Sequence, residues 1–120
     1  MVQAIISAVS SGTELLFYRG QFPKDLAVDE NISALKQETA YPLKYGYSLV
    51  GRVVALGARA EPGWDHRLVF AFNPHESHFA ARTEQLIPIP HGISLEDAVF
   101  LPNMETAVNL VMDGSPLIGE

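Results

Sequence analysis

Hydrophobic positions change their spacing along the chain, and each change marks an element. Residues 2–9 are apolar and rich in β-branched side chains, which predicts a strand that stops at Ser10-Ser11-Gly12. Ser11-x-x-Glu14 has the spacing of a capping box, so a short helical turn through Leu15, Leu16 and Phe17 is expected next, ended by Gly20 and Pro23. Over 24–39 the pattern is polar, with Leu26, Ile32 and Leu35 at roughly helical spacing, as in a surface helix or an irregular excursion. Tyr41-Pro42 closes that stretch, because the residue before a proline is pushed out of helical geometry.

The strongest strand pattern covers 48–56. A turn-rich connection over 57–65, containing Pro62-Gly63, leads to a second strand over 67–72, and the two are expected to pair as a hairpin with a long loop. Asn73-Pro74 breaks the second strand. Shorter strands are expected at 78–81 and 85–89, the latter confined by Pro88 and Pro90 to a sheet edge or a strand end. After Gly92 the spacing becomes helical. Ser94-x-x-Asp97 caps a helix reaching about Leu101, Pro102 separates it from a second helix over 104–112, and Gly114 with Pro116 ends that one. Strands followed by helices make an α+β chain, mainly β, built on a small barrel or curled sheet.

Composition narrows the function classes. A chain of 120 residues fits one domain, and 48% hydrophobic with 18% charged residues reads as globular. The net charge of −6, with its few basic residues scattered, disfavours nucleic acid and anionic membranes, which need clustered Lys and Arg. The absence of cysteine removes disulfides, thiolate zinc sites and thiol nucleophiles. No apolar run approaches the roughly 20 residues that span a bilayer, and the first residues lack a basic stretch followed by an apolar one, so a cytoplasmic location is the expectation.

Two segments carry the candidate chemistry, Ser11-Gly12-Thr13-Glu14 and Gly46-Tyr47-Ser48 with Val50-Gly51-Arg52-Val53-Val54 behind it. With Arg67-Leu68-Val69, Ile87-Pro88-Ile89-Pro90, Gly92-Ile93-Ser94, Asp97-Ala98 and Thr106-Ala107 in that order, the chain resembles the GroES-like catalytic domain of the medium-chain dehydrogenase/reductase family, the alcohol dehydrogenase-like enzymes. Tyr41 to Tyr47 and Asn103 to Ala107 are most similar to its bacteriochlorophyllide hydroxyethyl dehydrogenase-like branch. The resemblance implies a GroES-like, partly open β-barrel with two short helices at the C-terminal end. Residues 1–120 would be the substrate-side domain, 24–39 a polar surface excursion and 104–120 the start of a linker to a nucleotide-binding domain. Such a Rossmann domain opens with a Gly-rich turn that receives the pyrophosphate. No Gly-x-Gly-x-x-Gly occurs in the sequence, so the chain is expected to be a piece of a longer two-domain enzyme, or a truncated product, and inactive alone.

The resemblance also implies site residues. Zinc-dependent members carry Cys where this chain has Ser11, and Gly-His-Glu where it has Gly46-Tyr47-Ser48, so catalytic zinc is not expected. Thr13 matches the hydroxyl that relays a proton between substrate and solvent, a task for an oxygen that both donates and accepts; a local bond in a first helical turn is the plainer reading. Tyr47 is the second catalytic candidate, able to bond or protonate a carbonyl oxygen, or else only to fill the space of the lost ligand. His75-Glu76-Ser77-His78 has metal-binding side-chain types, but Pro74 and strand alternation part the two histidines and no third ligand stands nearby, leaving His75 as a substrate contact or a surface residue. Glu105 is a substrate-side acid or base, or an acidic residue favoured by the helix dipole. Thr106 matches a cofactor-contacting threonine, while His66 and His91 lie in turns and receive no role.

The expected function is therefore the substrate-side half of a nicotinamide-dependent oxidoreductase acting on a small alcohol or carbonyl compound. NAD or NADP would be held mainly by the other domain, and the full-length enzyme leaves room for a homo-oligomer. Two alternatives remain. One is a non-catalytic GroES-like binding or oligomerisation module, for which 24–39 is too polar to serve as a mobile apolar loop. The other is a truncated product without independent function, whose unpaired sheet edges would aggregate.

Overall fold

The computed structural model describes residues 1–22 and 41–115; the excursion expected over 24–39, Pro23 and Pro116 lie outside them. The chain forms β1 (Val2–Ser7), α1 (Thr13–Tyr18), β2 (Leu49–Val53), β3 (Leu68–Ala71), β4 (His78–Phe79), β5 (Ile87–Pro88), α2 (Leu95–Ala98) and α3 (Leu101–Gly114). Short 3-10 turns occupy Pro62–Trp64 and Thr83–Gln85. The five strands make one open antiparallel sheet in the order β4-β1-β2-β3-β5, which with the few helices gives an α+β architecture.

Side-chain parity explains why β2 lies at the centre of this sheet. Leu49 and Val53 join Val2, Val69, Ala71, Phe79 and Leu86 on one face, whereas Val50 joins Phe70 and Val99 on the other. Both faces of β2 and β3 are therefore covered, which is why these strands read as nearly continuous apolar runs. Each such Val, Leu or Phe contributes about 1.5–3 kcal/mol by leaving water. Gly51 permits the closest approach, since a Cβ there would lie 2.5 Å from the Gln3 carbonyl oxygen and 2.6 Å from Val2 Cγ1. The ladder slips between Ala4 and Ile6, immediately beside this contact.

The hairpin, the prolines at β5 and the Ser94 cap form as the sequence predicts. Leu49 to Arg52 face Ala71 to Leu68 in register, and β5 with Pro88 lies at the sheet edge. Ser94 Oγ accepts from the Asp97 N–H at 3.0 Å.

Three local expectations are corrected. Gly12, not Ser11, precedes α1, and no side chain caps it, because the Glu14 carboxylate is engaged elsewhere. Pro102 does not separate two helices; it lies in the first turn of α3, where no N–H is required, and the break falls at Val99-Phe100. At its other end α3 runs through Gly114, and Ser115 takes the left-handed cap (φ 41°), its N–H bonding Val111 O.

Candidate functional site

Three segments distant in sequence meet beside the first turn of α1. They are the turn containing Thr13 and Glu14, the stretch 41–48 leading into β2, and the loop from β3 to β4. Gly46 has φ +128°, a conformation glycine adopts readily, and a Cβ there would fall 2.7 Å from His75 Cδ2 and 2.8 Å from Nε2. The missing side chain lets the imidazole lie directly on the backbone. From the same loop, the His75 N–H donates to Tyr45 O at 3.0 Å.

The imidazole is held from its other side by Glu14, with His75 Nε2 2.6 Å from Glu14 Oε2. Glu14 is only 8% exposed, and its second oxygen accepts from the Ser10 N–H at 3.0 Å. A carboxylate taken this far out of water is tolerable because both oxygens are bonded. With the carboxylate ionised, its oxygens only accept; Nε2 then carries the hydrogen of this bond, and the neutral ring has a bare lone pair at Nδ1. Nδ1 is buried and has no hydrogen-bond partner among the described residues.

Around this pair the loop is braced by charge. Lys44 Nζ lies 3.0 Å from Glu76 Oε2, and Asn73 Nδ2 donates to Glu76 Oε1 at 3.1 Å. The Lys44 hydrogen bond holds the Glu76 carboxyl below its ordinary range, aided by the Asn73 amide and the Lys44 charge and outweighing burial, which acts the other way. Below the pair, Phe17 stacks on Phe22 and Tyr45 at centroid distances of 4.0 Å, and Tyr47 meets Tyr45 edge-on at 6.3 Å. The buried Ser48 hydroxyl donates to Val99 O, tying the start of β2 to the end of α2.

The sequence-derived candidates divide into two groups. Thr13 is exposed at the first position of α1 beside Glu14; Tyr47 is half-buried and follows Gly46; His75 is bonded to Glu14. These three belong to the converging segments. Glu105 and Thr106 are exposed on α3, and the Thr106 hydroxyl donates back to Pro102 O at 2.9 Å. Because α3 starts at Leu101, Glu105 lies beyond its first turn, so the helix dipole does not account for it. His78, on β4 opposite Gln3, is exposed and does not converge with His75. Among the described residues no three His, Cys, Asp or Glu side chains are arranged to hold a metal.

Sequence reasoning missed Glu14 as a site residue. Its spacing from Ser11 is that of a local cap, and nothing local announces a partner 61 positions away. A concavity of about 650 Å³ lies against β5, α2 and the start of α3, and Ile87, Ile89, Ile93, Phe100 and Met104 line it. Its carboxylate, Asp97, already accepts the Ser94 hydroxyl at 2.7 Å. Comparison with protein-family models, curated proteins and solved structures finds no match to the chain.

Proposed function

We propose that this chain is the substrate-side, GroES-like domain of a nicotinamide-dependent alcohol dehydrogenase-like oxidoreductase working without catalytic zinc. One observation carries the reading. The two segments that resemble the dehydrogenase family, Gly12-Thr13-Glu14 and Gly46-Tyr47, are joined through a single side chain, His75, which bonds Glu14 and packs on Gly46. In this reading Thr13 relays a proton, Tyr47 orients the substrate oxygen, and Glu105 lies on the substrate side.

The donor set does not suit zinc. Ser11 and Tyr47 offer neutral hydroxyls, and the His75 ring offers one free nitrogen, whereas catalytic zinc takes three protein ligands and a water. A nicotinamide, when bound, supplies the hydride acceptor or donor. The exposed Thr106 is suited to a contact with it, and NAD or NADP would be held mainly by a nucleotide-binding domain outside the described residues.

The test is expression of the complete reading frame, assayed by nicotinamide absorbance against a panel of small alcohols and carbonyl compounds with NAD and NADP. Turnover is expected, with Thr13→Val slowing it by about 100-fold. Absence of turnover across the panel, or of a Gly-rich strand-turn-helix in the frame beyond Glu120, overturns the oxidoreductase reading. Stoichiometric zinc in the purified enzyme overturns the metal-free part.

The apolar exposure of α3 favours a second reading, a non-catalytic binding or oligomerisation module. Met104, Val108, Leu110, Val111 and Met112 are all exposed, Leu110 and Met112 at 69%. A monomer by light scattering, at every concentration tried, sinks it.

A further inference from the structure

The geometry points to His75 as the proton acceptor of the site, with Glu14 as the residue that fixes its tautomer. This rests on the oxidoreductase reading above. Glu14 Oε2 lies 2.6 Å from Nε2 and its other oxygen accepts from the Ser10 N–H, an arrangement in which an ionised carboxylate selects the Nε2-protonated tautomer. Gly46 packs on the ring, where a Cβ would fall 2.7 Å from Cδ2, 2.8 Å from Nε2 and 2.9 Å from Cγ, and leaves no room for a side chain. Nε2 carries the bond to Glu14, and Nδ1 is a buried atom for which the described residues supply no hydrogen-bond partner.

A buried acceptor left unbonded is destabilising, so a donor that reaches it is favoured. The substrate hydroxyl is a donor of the required kind. It completes a carboxylate–imidazole–hydroxyl chain in which every polar atom is bonded. Nδ1 itself has almost no accessible surface, although 27% of the His75 side chain is open, so contact between a substrate hydroxyl and Nδ1 requires its cover to move.

In the oxidation direction the O–H proton passes to Nδ1, Thr13 relaying it onward to solvent, and the O–H electron pair becomes the second bond of the carbonyl. The carbinol C–H pair leaves as hydride, for which a nicotinamide is the two-electron acceptor. The imidazolium formed is balanced by Glu14, which keeps its negative charge. Reduction returns the proton from Nδ1 to the carbonyl oxygen. The imidazole thus provides charge compensation where zinc-dependent enzymes use a metal ion, and it does so from the loop after β3.

Two measurements test this. In the 120-residue chain, ring nitrogen shifts by NMR are expected to show the neutral His75 protonated at Nε2 and bare at Nδ1. Glu14→Gln, which keeps the shape of the side chain, is expected to give mixed tautomers. An Nδ1-protonated ring in the unsubstituted chain, or a ring spectrum unchanged by Glu14→Gln, overturns the assignment. A stoichiometric response of the Nδ1 resonance to added Zn²⁺ also overturns it, by making the ring a metal ligand.

In the complete enzyme, His75→Gln, which retains a donor for Glu14, is expected to lower kcat by about 100-fold with KM little changed. His75→Ala is expected to recover part of the loss when imidazole is added, which a purely structural histidine would not allow. Full activity in His75→Gln overturns the proton-acceptor role and leaves the oxidoreductase reading standing. An unsubstituted enzyme without turnover overturns that reading, and the proton-acceptor role with it, whatever the ring spectra show.

Discussion

Gly46 and Gly51 both exclude a side chain, and the neighbours they exclude it for differ in how far they can yield. At Gly51 the neighbour is the Gln3 carbonyl oxygen, which cannot move without parting β1 from β2. Gly51→Ala is therefore expected to cost about 3 kcal/mol, read from the denaturant midpoint. At Gly46 the neighbour is the His75 ring, a side chain that can swing aside at the expense of its bond to Glu14. Gly46→Ala is expected to cost about 2 kcal/mol, part of it from the positive φ, and to change the His75 ring spectrum, whereas Gly51→Ala leaves that spectrum intact while the protein is folded. The sequence showed that Gly46 begins a candidate active-site segment, but not what it faces. A close approach between positions 46 and 75 is a property of the folded chain, and neither residue's neighbours announce it.

A residue-scale pH effect follows from Glu76. Lys44 and Asn73 hold its carboxyl below the ordinary 4.5, so it binds a proton more weakly in the folded chain than in the unfolded one. Its contribution is present above about pH 4.5 and is lost as the pH falls through the lowered folded value. Lys44→Met is expected to flatten the fall in thermal midpoint across that acidic window. The effect is small, because the Lys44 side chain is 72% exposed and its pair with Glu76 is screened by water. A variant as acid-sensitive as the unsubstituted chain would refute the attribution.

At the scale of elements, two stretches with the same spacing behave differently. Ser94-x-x-Asp97 caps α2, with the hydroxyl accepting from the Asp97 N–H, and Ser94→Ala is expected to cost about 1 kcal/mol in chemical denaturation. Ser11-x-x-Glu14 does not cap α1, and the Glu14 carboxylate instead bonds the Ser10 N–H and the His75 imidazole. Capping patterns report what the first helical turn could bond, and the outcome depends on what the rest of the chain brings within reach. Strands were more legible. Alternation in β2 and β3 separates the two clusters residue by residue, so the hairpin was legible in the side chains, while its register came from the folded chain. Helix boundaries were the weaker part, since Pro102 reads as a breaker unless it falls within the first turn.

Across the whole molecule, stability is unevenly distributed. Leu49, Val50, Val69 and Phe70 are almost wholly buried, while α3 beyond Pro102 is exposed along its length. Amide exchange is expected to be slowest at Val50 and Val69 and fastest over 106–114, by at least about 100-fold; equal protection in both regions would contradict this division. The candidate site lies on the protected side, its histidine bonded to the segment that enters β2. The nucleotide side of the proposed enzyme was legible only as a resemblance, because Thr106 and Glu105 lie on the exposed helix and no bond links them to Glu14 or His75.

Among the described residues the sheet ends on both sides in strands of two residues, β4 and β5, and β5 contains a proline that offers no N–H. Growth of ordered fibres needs a longer row of free backbone groups to copy. Concentrated samples are therefore expected to cloud through loose, reversible clusters held by α3, which dissolve again on dilution. They should not yield seeds that convert fresh protein, nor the fibre reflection at about 4.7 Å. For anyone handling the purified chain, turbidity would be a reason to dilute the sample before discarding it.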